Sequence, residues 1–343
     1  MSRRKRQPEP VNSETLNTAI SIGEKTEIPT DSDALKNGSN QQDVDDKEGG
    51  KMAIIDDLNN QSEIPVIKLH FVSSHRSKDG KSFFVKTAAH YCGDKGKPII
   101  LVDCDRTNPD VSNAYTEARI VYFSENQETE NYPDAILEWA SENNLPALIN
   151  LPGGIHELVT AWIDRTLVPI IKENASLQEN ENREVDLKIY NWFLCNGEQA
   201  SLNLFIDSLN HFGGCVQHIL VRNWGMTNNW KIVDESTDLE PFCKSPKDKT
   251  EEEIATDKGK GIQLVDSHGL PIKKAIQIDF PALSSQEGKR LAREEVKFAQ
   301  AILRPEQDGL TNEGKKAWPL WERQRVINFL KKASAVLDNT GLL

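Results

Sequence analysis

The residues best suited to chemistry lie in one short segment, His75-Arg76-Ser77-Lys78-Asp79-Gly80-Lys81-Ser82. Where such a segment joins a strand to a helix, backbone N–H groups at the helix N-terminus can hold a phosphate. Lys81 would then neutralise the β- and γ-phosphates of a nucleotide, and the Ser82 hydroxyl would ligate Mg²⁺. Gly80 lets the backbone approach closely. We therefore predict a phosphate loop at residues 75–82.

Further polar residues stand where apolar runs end. Asp103 and Asp105 follow the run at 98–102, and Asn150 lies within the run at 147–151 that leads into a Pro-Gly-Gly turn. Parallel strands bring their carboxyl ends to one edge of a sheet, so we expect these residues to meet the phosphate loop. The alternatives are an aspartate that only caps a helix or forms a turn, and a Gly-Lys-Ser sequence that binds another anion or nothing.

The order of elements predicts how these residues are held. The β-branched run at 66–72 predicts a first strand, and apolar residues at helical spacing predict a helix over 82–91. Strand and helix patterns then alternate, with strands predicted at 98–102, 147–151, 187–194, 215–221 and 275–280 and helices at 133–144, 155–171, 198–210 and 318–337. This succession predicts an α/β fold with a doubly wound, mostly parallel sheet.

Composition divides the 343-residue chain into three parts. Residues 1–62 are polar with few aromatics, which predicts a disordered N-terminal tail. Residues 63–283 carry the alternating pattern and form the expected nucleotide-binding domain, with a charged, solvated insertion at 232–262. Residues 284–343 are predicted to be C-terminal helices packed on that domain.

Charge and cysteine content limit the classes of function. The net charge of −12 argues against a protein whose whole surface coats nucleic acid, so nonspecific DNA binding would need a local basic patch. The cluster Arg3-Arg4-Lys5-Arg6 is one candidate for binding DNA or anionic lipid, and a solvated tail is the simpler interpretation.

The five cysteines include no C-x-x-C pair, which favours neither a disulfide framework nor a structural zinc site. No apolar run is long enough to span a bilayer, so we expect a soluble, cytoplasmic protein.

Two stretches, IKLHFVSSHRSKDGKSFF and PIILVDCDRTNPDVSNAY, resemble the ParA/MinD family of P-loop ATPases. That family has a phosphate loop of the pattern K-G-G-x-G-K-[ST], a second strand that ends in D-x-D and a switch strand that ends in D-x-P. The likeness is closest to the TraL/MobD-like branch, whose members are associated with conjugative transfer or mobilisation of plasmids. Residues 195–197 and 221–226 are similar to the same branch, so the resemblance covers most of 64–283 and implies a P-loop NTPase fold of the SIMIBI-like class.

The resemblance also implies roles for single residues. Lys81, Asp105 and Arg76 would be catalytic, with Asp105 orienting the attacking water and Arg76 reaching the phosphates of a second subunit. Ser82 would ligate Mg²⁺ with Asp103 as a supporting carboxylate. Gly80, Lys81, Ser82 and Asn223 would bind ATP, Asn223 at the adenine edge.

Several positions depart from the family pattern. His75 replaces the first glycine of the general P-loop, Arg76 replaces the signature lysine, and Ser77 and Lys78 replace two glycines. Asn150 stands at the switch aspartate, and a neutral amide holds Mg²⁺-bound water less strongly than a carboxylate. We therefore expect an ATP- and Mg²⁺-binding homodimer that hydrolyses ATP slowly and assists plasmid mobilisation, transfer or partition with plasmid transfer or partition proteins. The alternative is a degenerate P-loop scaffold without nucleotide turnover.

Overall fold

A computed structural model describes residues 64–177, 183–243, 264–306, 309–311, 314 and 316–343. The predicted disordered tail, residues 1–62, lies outside the described residues. Residues 244–262 of the predicted charged insertion also lie outside them.

A parallel sheet forms the centre of the described part of the chain. Its seven strands lie in the order β3-β2-β4-β1-β5-β6-β7, and all neighbouring pairs are parallel. The strands are β1 Val66–Ser74, β2 Ile100–Asp103, β3 Arg119–Ile120, β4 Ala147–Asn150, β5 Asp186–Cys195, β6 Val216–Asn223 and β7 Ile276–Phe280. The predicted α/β fold with a parallel sheet is therefore confirmed.

Helices connect the strands and cover both faces of the sheet. Those in the described residues are α1 Lys81–Asp94, α2 Asp110–Ala114, α3 Ala135–Asn143, α4 His156–Trp162, α5 Val168–Ser176, α6 Gln199–Phe212, α7 Lys231–Asp234, α8 Glu240–Cys243, α9 Ser285–Glu294, α10 Phe298–Ala301 and α11 Leu320–Thr340. A 3₁₀ turn, Tyr132–Asp134, precedes α3, and a π-helical turn, Ile163–Leu167, joins α4 to α5. None of the helices in these ranges is long and apolar enough to cross a membrane.

The two faces of the sheet carry separate hydrophobic cores. Strands β2 and β4 are buried along their whole length, as expected for parallel strands that are covered on both sides. On one face, Val72, Leu148 and Trp192 pack with α1 and α11. On the other, Phe71 and Ile149 pack with α3, α4 and α5, and α6 covers β5 and β6 beside them. The strand ends are thereby held in a fixed arrangement.

The beginning of the predicted insertion is packed rather than solvated. Residues 232–243 contain most of α7 and all of α8, and Val233, Leu239 and Phe242 are buried in the core beneath α6. These three apolar side chains are spread over ten residues without a regular period. The charged residues around them therefore led to the prediction of a solvated segment.

Candidate functional site

The predicted phosphate loop, residues 75–82, lies at the carboxyl end of β1 and runs into the first turn of α1. Strand β1 is central, with β4 and β5 on its two sides, so the loop is surrounded by the ends of neighbouring strands. Gly80 has a φ of 97°, in the left-handed region where glycine is favoured. A Cβ atom on Gly80 would lie 2.6 Å from the Asn223 side-chain nitrogen. This position therefore requires glycine for two independent reasons.

Lys81 folds back into the concave side of the loop. Its Nζ donates hydrogen bonds to Ser74 Oγ at 2.9 Å and to the Arg76 carbonyl at 3.1 Å, and the residue is only 5% exposed. Burial lowers the pKa of Lys81, while the charges of Asp79 and Asp105 act in the opposite direction. The structure thus places one ammonium group where the backbone of the loop curves around it.

A second charged group, the carboxylate of Asp79, is buried in the same loop. It accepts the backbone N–H of Arg76 at 3.0 Å and the side-chain N–H of Asn196 at 3.1 Å. The Arg76 Nε atom lies 3.6 Å from it. An internal anion therefore occupies one backbone donor of the loop.

Asp103 and Asn150 meet beside Ser82, as we predicted from their positions at the ends of neighbouring strands. The sheet register pairs Asn150 with both Asp103 and Val72. The Asn150 amide donates to Asp103 Oδ1 at 2.9 Å and to Ser82 Oγ at 3.3 Å. Its own oxygen is buried and has no hydrogen-bond partner. Asn150 therefore turns its amide nitrogen towards the hydroxyl that was predicted to ligate Mg²⁺ and keeps one unpartnered acceptor oxygen.

The two aspartates after β2 also organise the local backbone. Asp103 Oδ2 accepts the N–H groups of Val111 and Ser112 in α2, at 3.1 and 2.9 Å. Its Oδ1 accepts the N–H of Asp105 at 3.2 Å in addition to the Asn150 amide. Because both oxygens of Asp103 are engaged, this carboxylate is placed to orient its neighbours rather than to bind an ion directly.

Asp105 forms a turn directly after β2. Its Oδ1 accepts the N–H groups of Thr107 and Asn108 at 3.0 and 2.9 Å. The same carboxylate is close enough to Lys81 to oppose the lowering of the lysine pKa. Asp105 is therefore near the loop, and its role in orienting water stays a prediction.

Arg76 and Asn223 make contacts that the sequence did not predict. Arg76 is half exposed and forms an ion pair with Glu198 at 2.6 Å, so reaching a second subunit would require breaking that pair. The Asn223 amide donates to the Asp79 carbonyl at 2.9 Å and accepts the N–H of Gly225 at 3.0 Å. Both ends of this buried side chain support backbone, and its reading of an adenine edge stays a prediction.

The turn after β4 presses against the phosphate loop. A Cβ atom on Gly153 would lie 2.3 Å from the Ser77 backbone nitrogen and 2.8 Å from the Arg76 carbonyl carbon. Only glycine allows this approach of two backbones. The β4–α4 turn and the phosphate loop are therefore in direct contact.

The structure brings together most of the predicted site residues. Side-chain contacts link Ser82, Asp103 and Asn150. Lys81 is held beside them by Ser74 Oγ and the Arg76 carbonyl, and Asp105 is close to Lys81. Sequence reasoning missed the roles of Asp79, Asn196, Glu198 and Gly153. Asp79 and Asn196 are 117 positions apart in the sequence, so no local pattern predicts their contact. The sequence indicated only that each lies in a loop that follows a strand, β1 or β5.

The chain has no match among known protein-family models or among curated proteins.

Proposed function

We propose that this chain is a ParA/MinD-like P-loop protein that binds ATP with Mg²⁺ in the cytoplasm and hydrolyses it slowly. On this proposal it dimerises around the nucleotide and assists plasmid mobilisation, conjugative transfer or partition. The observation that carries the proposal is the position of Lys81. Its ammonium group lies inside a strand–loop–helix turn and donates hydrogen bonds to Ser74 Oγ and the Arg76 carbonyl, two acceptors that a phosphate can replace.

The residues next to Lys81 fit a nucleotide-bound metal ion. Ser82 Oγ would ligate Mg²⁺, and Asn150, whose amide nitrogen lies 3.3 Å from that hydroxyl, would hold water bound to the ion. Bound there, Mg²⁺ would supply charge neutralisation for the phosphates. Lys81 would stabilise the negative charge of the transferred phosphoryl group, and Asp105 would orient the attacking water. Arg76 would add a positive charge once it left Glu198.

Equilibrium binding of fluorescent ATP to the full chain, with and without Mg²⁺, tests the proposal. We expect saturable, Mg²⁺-dependent binding that Lys81→Ala weakens at least ~100-fold, because a buried ammonium group on phosphate cannot be replaced by water. Lys188→Ala is the matched control, since Lys188 is a half-exposed lysine at the amino end of β5. Equal binding by the parent and Lys81→Ala would refute the proposed phosphate loop.

A second candidate is a P-loop scaffold that mediates protein interactions without turning over nucleotide. The buried Asp79 carboxylate favours it, because a fixed negative charge in the loop repels phosphates. Hydrolysis measured under single-turnover conditions separates the two candidates. Turnover that is lost in Asp105→Asn would support the ATPase, whereas no turnover in a parent protein that still binds ATP would support the scaffold.

A further inference from the structure

Three side chains with metal-binding chemistry meet on the face of the sheet opposite α11. Asp164 lies in the π-helical turn between α4 and α5, and His211 lies in the last turn of α6. His268 lies in a turn that precedes β7. None of these residues belongs to the phosphate loop or to the strand ends around it.

Both imidazole rings direct Nε2 at one carboxylate. His211 Nε2 lies 2.9 and 3.1 Å from the two oxygens of Asp164, and His268 Nε2 lies 3.0 Å from Asp164 Oδ1. One ligand atom from each residue can be chosen so that all three lie within 4.8 Å of one another. Zinc binds nitrogen and carboxylate oxygen at about 2.0–2.2 Å, which places tetrahedral ligands ~3.4 Å apart. The N···O distances of 2.9–3.1 Å and the 4.8 Å limit on the three ligand atoms lie on either side of this ligand–ligand distance.

One of these nitrogen atoms lacks a hydrogen-bond partner. His268 Nε2 is buried and makes no hydrogen bond of acceptable geometry, although the Asp164 oxygen is close to it. A buried polar atom without a partner costs free energy. A metal ion between His268 and Asp164 would satisfy this nitrogen.

The surrounding residues hold the two rings in place. The His268 ring stacks on Phe212 with centroids 5.8 Å apart, and the His211 ring meets the same phenyl ring edge-on at 4.4 Å. Asp266 Oδ1 accepts the backbone N–H groups of His268 and Leu270, at 2.9 and 3.0 Å. The ligand set is therefore arranged before any ion binds.

The local helix geometry gives Asp164 its position. A π-helical turn inserts an extra residue into a helical register and redirects the side chains that it carries, and such turns are frequent at functional sites. Here the turn Ile163–Leu167 interrupts the helical run between α4 and α5 and faces the end of α6. His211 also lines a cavity of about 280 Å³ between α4 and α6.

We propose that Asp164, His211 and His268 bind a divalent transition-metal ion of the zinc class. Two imidazoles and one carboxylate suit zinc and its neighbours better than Mg²⁺ or Ca²⁺, which prefer oxygen ligands. Three protein ligands leave a fourth coordination position for water or an outside ligand. The ion joins the π-helical turn, α6 and the turn before β7 into one unit. This site is independent of the proposed nucleotide site.

Titration of the chelator-treated, full-length protein with Zn²⁺ by calorimetry, and with Co²⁺ by visible absorption, tests the proposal. We expect one equivalent of metal and a cobalt spectrum without the thiolate-to-metal band that cysteine ligands produce. Removing a residue that only hydrogen-bonds to a metal ligand lowers the metal affinity roughly 10- to 100-fold. His268→Ala and Asp164→Asn each change a ligand itself, so each should lower the Zn²⁺ affinity by more than this. His156→Ala, at a half-exposed histidine of α4 outside the cluster, should leave the affinity unchanged.

Two results would overturn the proposal. One is the absence of saturable Zn²⁺ binding by the parent protein. The other is undiminished one-equivalent binding by both His268→Ala and Asp164→Asn. Asp164→Asn keeps the size of the side chain and one oxygen, so we expect this variant to fold. Urea unfolding of each variant without metal measures whether it is folded.

Discussion

The carboxylate of Asp79 sets the charge inside the phosphate loop. It lies with Lys81 among groups of the loop, and it already accepts the backbone N–H of Arg76. Its burial means that solvent screens this charge weakly. A single residue of the loop therefore opposes the ligand that the neighbouring lysine would attract.

Replacing Asp79 with asparagine separates these two effects. We expect Asp79→Asn to bind ATP ~10-fold more tightly, because one negative charge near the phosphates is removed. The same change should lower the free energy of unfolding by about 1–3 kcal/mol, since the single oxygen of the new amide cannot replace both carboxylate oxygens that now accept the Arg76 and Asn196 N–H groups. Fluorescent ATP binding and urea unfolding measure the two. Asp94→Asn, which removes an equal charge at the end of α1, should change neither, and weaker ATP binding by Asp79→Asn would contradict the argument.

Two buried histidines make stability depend on pH. Burial lowers the pKa of His70 from 6.5 to about 3 and that of His218 to about 4. Trp192 donates a hydrogen bond to His70 Nδ1 at 3.2 Å, which requires that nitrogen to be unprotonated. Below pH 6.5 the unfolded chain binds protons that the folded chain does not, so stability falls as the pH falls from 6.5 towards 4.

The size of this pH effect can be measured by substitution. At pH 5 each of the two histidines should cost ~2 kcal/mol of unfolding free energy relative to pH 7. His70→Gln should therefore show a smaller loss between pH 7 and pH 5 than the parent in urea unfolding. His156→Gln, at a half-exposed position, should follow the parent. An unchanged pH dependence in His70→Gln would show that His70 binds its proton equally well in the folded and the unfolded protein.

Among the elements, the β4–α4 turn and the phosphate loop act as one structure because Gly153 lets their backbones touch. Gly153→Ala would place a methyl group 2.3 Å from the Ser77 nitrogen, so one of the two segments must move. We expect a loss of about 1–3 kcal/mol in unfolding free energy and weaker ATP binding, as overpacking at a rigid contact predicts. Gly93→Ala, in α1 with open space around it, should be neutral or slightly stabilising. ATP affinity equal to that of the parent would show that the turn moves without disturbing the loop.

Strong local patterns made the main elements predictable. The strands β1, β2 and β4 to β7 and the helices α1, α3, α6 and α11 all match predicted segments, and the helix predicted at 155–171 is the run of α4, the π-helical turn and α5. The two-residue strand β3 and the short helices α2, α7 and α8 carry too few apolar residues to form a period. Helix α9 is strongly charged, and its Leu291 is the only buried hydrophobic residue in it. These elements are stabilised by packing against neighbouring parts of the fold rather than by a pattern of their own.

The candidate site was predictable only as far as local sequence reaches. The strand–loop–helix context identified Lys81 and Ser82, and the strand ends identified Asp103 and Asn150. The contact between Asp79 and Asn196 and that between Arg76 and Glu198 join distant segments. The same holds for Asp164, His211 and His268, which come from three separate elements. Such groupings follow from the tertiary fold and have no pattern in the linear sequence.

For the molecule as a whole, the C-terminal helix α11 completes one hydrophobic core. Phe329 packs against Phe83, Phe280 and Phe298 with ring centroids 5.3 to 5.8 Å apart. Phe329→Ala should lower the free energy of unfolding by about 3–5 kcal/mol, because it removes buried contacts and leaves a cavity. Urea unfolding measures the loss. Trp321→Ala on the same helix, 64% exposed, should cost less than ~0.5 kcal/mol, and equal losses in the two variants would contradict the packing argument.

The central position of β1 has a consequence for how the chain acquires its structure. The partners of this strand are β4 and β5, and its first residue, Val66, pairs with Asp186, which follows about 120 residues later. A ribosome extends a chain at about 5–20 residues per second, so β1 waits for seconds with unpaired backbone N–H and C=O groups along its edges and uncovered apolar side chains on its faces. Pairs between distant strands also form slowly, because long loops must close first. Strand β1, which leads into the predicted phosphate loop, is therefore exposed during synthesis to misassociation with other nascent chains and to capture by chaperones.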